Sequence, residues 1–176
     1  TTRIREGVTV QESNPDVSQD IYLVGVDERS LREYKRWPFP RYRHADLAKT
    51  FSRITNQDER ERVLFLDFIF SEPDIANPQD DAALLEAIRE NGRVFVETIF
   101  PDSKTEEMPP DRFIRQQALN EKQGSIGKIT GDWHAIPWST IFLPPLAPYG
   151  AVAAGSGHVG YFNDDDKVFR HAALIH

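Results

Sequence analysis

Val63-Leu64-Phe65-Leu66-Asp67-Phe68-Ile69-Phe70 is the most apolar run in the chain, and one carboxylate interrupts it. A stretch of β-forming residues without polar alternation has no solvated face, which is the habit of a strand covered on both sides in a parallel sheet. It is expected as the central strand. Residues 21–26, Ile-Tyr-Leu-Val-Gly-Val, and residues 94–99, Val-Phe-Val-Glu-Thr-Ile, read as two further strands, the first of them also buried on both faces. Between the strands the spacing turns helical. Leu47, Phe51 and Ile54 fall on one face of a helix that opens near Pro40 and ends near Asn56, and Leu84, Leu85 and Ile88 mark the buried stripe of a second. That second helix carries its own punctuation: Asn77 as N-cap, Pro78 at the first position, acids near the positive end, and Gly92 as the stop.

Strand, helix, strand, helix, strand argues for crossover connections, hence an α/β domain with a mainly parallel central sheet flanked by helices. A C-terminal antiparallel hairpin is expected to finish it, from residues 157–162 and 168–175 with a polar turn at Asn163-Asp164-Asp165-Asp166-Lys167. Before it, residues 144–155 read as a short helix with Leu146, Tyr149 and Val152 or Ala153 inward. Residues 1–18 are polar and aperiodic and read as an extended arm, leaving 19–176 as one domain. Within it, residues 101–125 form a charged surface excursion with at most a short helix.

Composition narrows the function. The 176-residue chain has a net charge of -7 and no cysteine. The acidic balance argues against nucleic acid, whose binders need a concentrated basic face, and the missing thiols exclude disulfides and thiolate chemistry. No stretch approaches the roughly 18 to 20 apolar residues of a membrane helix. The chain ends inside what reads as a strand, so a longer parent protein is expected.

Six residues form the candidate ligand-binding or structural network. Asp27 and Asp67 stand at or near the carboxyl ends of expected strands with Glu72 just beyond, the edge of an open parallel sheet where ligands bind. Trp37 and Arg41 belong to the stiff, aromatic, cationic elbow Arg36-Trp37-Pro38-Phe39-Pro40-Arg41, in which proline restricts both itself and its predecessor. Ser30 completes the set as a neighbour of Asp27. Two readings stand side by side: the acids and the planar Arg41 fork receive a polar ligand, or Asp27 caps a turn, Asp67 pairs with Arg41, and the elbow is a latch whose aromatics fill core. His44, in the first helical turn, reads as polar surface. The pattern Gly155-Ser156-Gly157-His158-Val159-Gly160 matches the dinucleotide fingerprint in letters but follows a helix and enters a strand, the wrong context. The histidines have no metal-ligand spacing and no serine sits in a nucleophile elbow. No catalytic residue, metal or cofactor is assigned.

The strings IYLVGVDERSL, WPFPRYRHADL, VLFLDFIFSEP, DDAALLEAI and GHVGYFNDDDKVFRHAALI, in that order between Ile21 and Ile175, resemble the second type of CHASE domain. Arg170 falls in the family's position, and the resemblance is thinnest over residues 101–144. It implies an extracytoplasmic sensory input, periplasmic or extracellular, tethered to the membrane through flanking helices. The parent would be a receptor with a histidine kinase, nucleotide cyclase or serine/threonine kinase as output. Signal reception without catalysis is implied, by an unidentified ligand or protein partner, and a homodimer is expected because receptors transmit by changing how two copies pack. Two rivals differ in class. One is a metal-dependent hydrolase using the sheet-edge carboxylates, against which stand Ile69 in place of a second aspartate and the lack of a neighbouring histidine. The other is a passive interaction module.

Overall fold

Caps and turn residues set the local structure, and a computed structural model shows what they build for residues 2–5, 8–11, 20–100, 109–123 and 142–158. The chain divides into two compact units, Thr1–Phe39 and Pro40–His176.

The first unit opens with strands β1 (Thr2–Arg5) and β2 (Val8–Gln11), paired antiparallel from Thr2 opposite Gln11 to Arg5 opposite Val8. The expected extended arm thus contains a two-stranded ladder. Residues 21–26 also depart from expectation. They join no strand, and Ile21, Tyr22, Leu23 and Val24 are between 67% and 93% exposed. Apolar β-rich composition reports a capacity to pair, whereas the ladder itself needs another strand's N–H and C=O groups, which local sequence does not specify. Helix α1 (Glu28–Tyr34) follows, ended by Lys35 in the left-handed region at φ 54°. Beyond it, Phe39 meets the rings of Tyr34 and Trp37 edge-on at 5.3 Å, and the Trp37–Pro38 peptide is cis.

In the second unit, helix α2 (Arg41–Ser52) starts after Pro40, which sits at its N-cap. Strand β3 (Leu64–Leu66), helix α3 (Pro78–Asn91) and strand β4 (Val94–Thr98) then form a parallel crossover, with Leu64, Phe65 and Leu66 opposite Val94, Phe95 and Val96. Helices α4 (Pro110–Gln123) and α5 (Ala147–Val152) lead to strand β5 (Gly155–His158), parallel to β4 with Phe95 opposite Gly155 and Glu97 opposite Gly157. The fold is mixed α/β with a three-stranded parallel sheet in the order β3-β4-β5 and five helices among the described residues. β4 is therefore the central strand and the expected one, β3, lies at an edge and is shorter. The reason is visible in its exposure: Phe65 is 39% and Ile69 53% accessible, so the apolar run is covered on one face only. The terminal hairpin falls on residues 159–176, outside those described. β5, which contains the first two residues assigned to that hairpin, runs parallel to its neighbour.

Helix α3 has the expected bounds, although the Asn77 side chain makes no capping hydrogen bond. Asn77 precedes it, Pro78 opens it, and Gly92 closes it at φ 70°, a conformation that costs a side-chain-bearing residue about 1 kcal/mol or more. Leu84, Ala87 and Ile88 are fully buried against Ala45 and Ala48 of α2 and the sheet face of Leu66, Val94 and Val96. Each large aliphatic so buried stabilises the fold by roughly 1.5–3 kcal/mol. The buried face of α2 is His44, Ala45 and Ala48, one step round from the expected Leu47, Phe51 and Ile54 stripe, because small alanines let α3 approach closely. Asn91 pins the far end: its amide donates to the Ala48 carbonyl and to Glu61 Oε1 at 3.3 and 2.8 Å. Helix α4 is longer than the short helix expected in the excursion, and its Lys122 Nζ donates to the carbonyls of Gly150, Ala151 and Ala153 at the end of α5.

Candidate functional site

The loop that leaves β3 is fastened through its backbone. The Phe70 carbonyl accepts the Leu146 N–H at 2.7 Å, the Ser71 carbonyl accepts Arg115 Nη1 at 2.9 Å, and the Glu72 carbonyl accepts Arg41 Nη2. Three successive carbonyls are thus held from α2, α4 and the segment entering α5. Asp81 organises the cation end. Its Oδ1 pairs with Arg41 Nη1 and accepts the Tyr149 hydroxyl at 2.9 Å, while Oδ2 accepts the Asp74 N–H at 2.9 Å. The Arg41 guanidinium lies 5.7 Å from the Phe70 ring centroid and 5.8 Å from that of Tyr149, close enough for cation–π attraction. Burial, and then the hydrogen bond to Asp81, push the Tyr149 phenol's pKa up, so it acts as a donor throughout the accessible pH range.

His44 belongs to this wall. It is 6% exposed, with its ring 4.3 Å from Phe68 and 5.3 Å from Phe70, correcting the surface placement expected from sequence. Burial, followed by the nearby Arg41 charge, lowers its pKa from 6.5 to about 4, which keeps the imidazole neutral.

Beside the fastened loop lies an open groove of about 470 Å³, within the range of small-molecule sites. Pro73, Pro109, Leu146, Ala147 and Pro148 supply apolar walls, and Ser71, Glu72, Asp111, Arg112 and Arg115 the polar ones. Arg115 is already paired with Asp111 at 2.6 Å, and this bond holds the Asp111 carboxyl below its ordinary range. Arg112 and Glu72 remain the charged groups of opposite sign that an occupant would meet.

The six sequence candidates sort into four places. Asp27 and Ser30 form a cap, the Asp27 carboxylate accepting both the Ser30 N–H and hydroxyl at 2.8 Å, which lowers the carboxyl's pKa. Trp37 stays 57% exposed, edge-on to Phe39. Arg41 and Glu72 come together, through the Glu72 backbone and not its carboxylate. Asp67 stands one step past the Leu66–Val96 pair, alongside Glu97. Arg41's carboxylate partner is Asp81, forty residues on, in place of the Asp67 pairing envisaged from sequence. Asp81 escapes a sequence reading because an acid in a first helical turn is already explained by the helix dipole. Glu97 had a legible signal, a carboxylate inside an apolar strand, the same signal that singled out Asp67. Among the described residues no three His, Asp or Glu side chains gather as metal ligands, and no helix is long and apolar enough to cross a membrane.

No curated protein and no solved structure shows significant similarity to the chain. The family model of the CHASE2 domain, in contrast, matches residues 2–176, so that the chain belongs to the CHASE2 family, extracytoplasmic sensory domains of signalling proteins.

Proposed function

We propose that this CHASE2 domain is the input of a membrane-bound receptor with a kinase or cyclase output, and that the groove beside residues 71–73 receives its ligand, a small molecule or a segment of a partner protein. One observation carries the reading. The loop that forms one wall is held at three successive carbonyls by three separate segments, two of which, α4 and the entry to α5, also line the groove. An occupant that prefers one spacing of those walls therefore biases how α4 and α5 sit against the sheet, and a two-state shift needs only such differential contact.

A thermal-shift screen of small solutes against the unmutated domain and an Ala147→Trp variant tests the site. A ligand at about a hundred times its dissociation constant adds about 2.7 kcal/mol of stability, and the tryptophan, placed in the groove wall, should abolish that gain while leaving the unliganded melt in place. A ligand whose stabilisation survives Ala147→Trp binds elsewhere and overturns the groove. A parent gene without hydrophobic spans flanking this segment overturns the receptor reading.

A further inference from the structure

The carboxyl edge of the sheet holds a second feature, separate from the groove. Leu66 pairs with Val96 in the parallel register, and the next step sets Asp67 beside Glu97 on the strand face that also carries Phe65 and Phe95. Glu97 is 5% exposed. Among the described residues its carboxylate accepts no hydrogen bond and joins no ion pair. Glycine accounts for part of that burial. A Cβ at Gly155 would stand 2.5 Å from the Phe95 ring, and one at Gly157, the register partner of Glu97, 3.4 Å from the Phe65 ring. The aromatic rings thus lie across β4 and β5 on the face Glu97 occupies.

We propose that Glu97, buried beside the Asp67 carboxylate, takes up and releases a proton, making this sheet edge a proton-sensing site through which the domain responds to extracytoplasmic acidity. Two adjacent carboxylates, one of them buried, do not both ionise readily. Burial first, and then the Asp67 charge, raise the Glu97 pKa from 4.5 to about 7. Among the described residues little opposes this. β5 offers Gly157 opposite Glu97, its His158 stands beside Thr98 on the other face, and α2 and α3 cover that other face, where His44 is neutral. From β3, Asp67 is the charged group that faces it.

A route for the response is present in the backbone. Two residues after Glu97, Ile99 exchanges hydrogen bonds with Leu143 at 3.1 and 2.7 Å, and Leu143 leads through Pro144 and Pro145 to Leu146, whose N–H holds the Phe70 carbonyl. Charging Glu97 beside Asp67 pushes the two strand ends apart just before that bridge. The site needs no ligand in the groove.

The test is a titration of the 176-residue chain by NMR from pH 5 to 8.5, following the Glu97 side-chain carboxyl carbon and the amides of Ile99 and Leu143. The carboxyl carbon should titrate near pH 7, with both amides moving in step. Asp67→Asn, which keeps Glu97 but removes the like charge, should bring the midpoint about one pH unit lower. Glu97→Gln should hold the amides at their acid-side positions at every pH. A Glu97 carboxyl that titrates between about pH 4 and 5, as an exposed one does, or amide midpoints that persist in Glu97→Gln, would overturn the proposal. Should Glu97→Gln fail to fold, the Asp67→Asn midpoint decides it alone, an unchanged value counting against the pair.

Discussion

Arg41→Ala separates a latch from a ligand-binding arginine. The Arg41 side chain is 13% exposed and that of its partner Asp81 21%, so the pair is largely desolvated. Removing one member of such a pair costs about 3–5 kcal/mol, mostly by leaving the other charge buried. Asp81 would keep the Tyr149 hydroxyl and the Asp74 N–H, each at 2.9 Å, which offsets part of that penalty. Against this, the Glu72 carbonyl loses its donor and the guanidinium leaves the Phe70 and Tyr149 rings. The net expectation is a loss of about 3 kcal/mol, which at about 2–4 °C per kcal/mol for a chain of this size lowers the melting temperature by about 6–12 °C. Calorimetric melts measure it directly. Arg41→Lys should recover only part of the loss, because an ammonium cannot serve Asp81 and the Glu72 carbonyl with one planar fork. In a double-mutant cycle, Asp81→Ala should cost clearly less in the Arg41→Ala background than alone, by more than about 1 kcal/mol. A melt of Arg41→Ala within about 2 °C of the unmutated domain refutes the latch, since a shift that small corresponds to no more than about 1 kcal/mol.

Three further outcomes follow from the same geometry. His44 has a folded pKa depressed from 6.5 to about 4, so the unfolded chain takes up the proton first and stability is lost as pH falls through that window, by up to about 3 kcal/mol. Urea denaturation of His44→Leu across pH 4 to 6.5 should show that acid-side slope removed, and an unchanged slope would count against a buried neutral imidazole. Glu97 acts in the opposite sense: its folded pKa is raised from 4.5 to about 7, so its contribution is full below that window and is lost as pH rises through it. Glu97→Gln should accordingly be more stable than the unmutated domain at pH 8, by up to about 3 kcal/mol, and near-equal to it at pH 4.5. Between pH 4.5 and 6.5 the two slopes oppose each other, so the single variants reveal what the unmutated domain conceals. Gly92→Ala keeps open space around its Cβ but forces alanine to φ 70°, and should cost about 1 kcal/mol in denaturant unfolding; no measurable loss would contradict the left-handed cap.

What could be read in the sequence was what local chemistry decides. Asn77, Pro78 and Gly92 bound α3, and Leu84 and Ile88 are buried on it, because caps, ring constraints and helical period act within a few residues. Tyr149 and Ala153 turn inward at α5 for the same reason. The motif strings that resembled CHASE2 fall inside the family match, which extends over residues 2–176. Pairing was less legible. Residues 21–26 and 63–70 are both apolar and rich in β-formers, yet the first stays exposed and the second contributes an edge strand of three residues, because a ladder depends on partners distant in sequence. The site was half visible for the same reason. Arg41 and Glu72 stood out as residues, but what Arg41 meets, the Asp81 carboxylate and the Glu72 backbone carbonyl, lies 40 and 31 residues away. His44 shows the hazard of judging a polar residue by its helix position alone, since Phe68 and Phe70 arrive from another element to cover it.

The fastening of residues 70–72 through carbonyl oxygens has an evolutionary consequence. Every residue type brings the same carbonyl, so Leu146, Arg115 and Arg41 grip the loop whatever side chains it carries. Substitutions at Ser71 and Glu72 would then change what the groove displays to an incoming molecule without loosening the frame around it. In the proposed receptor this would separate the inventory of signals from the frame that reports them, so that new specificities would arise through the loop's side chains without rebuilding the fold.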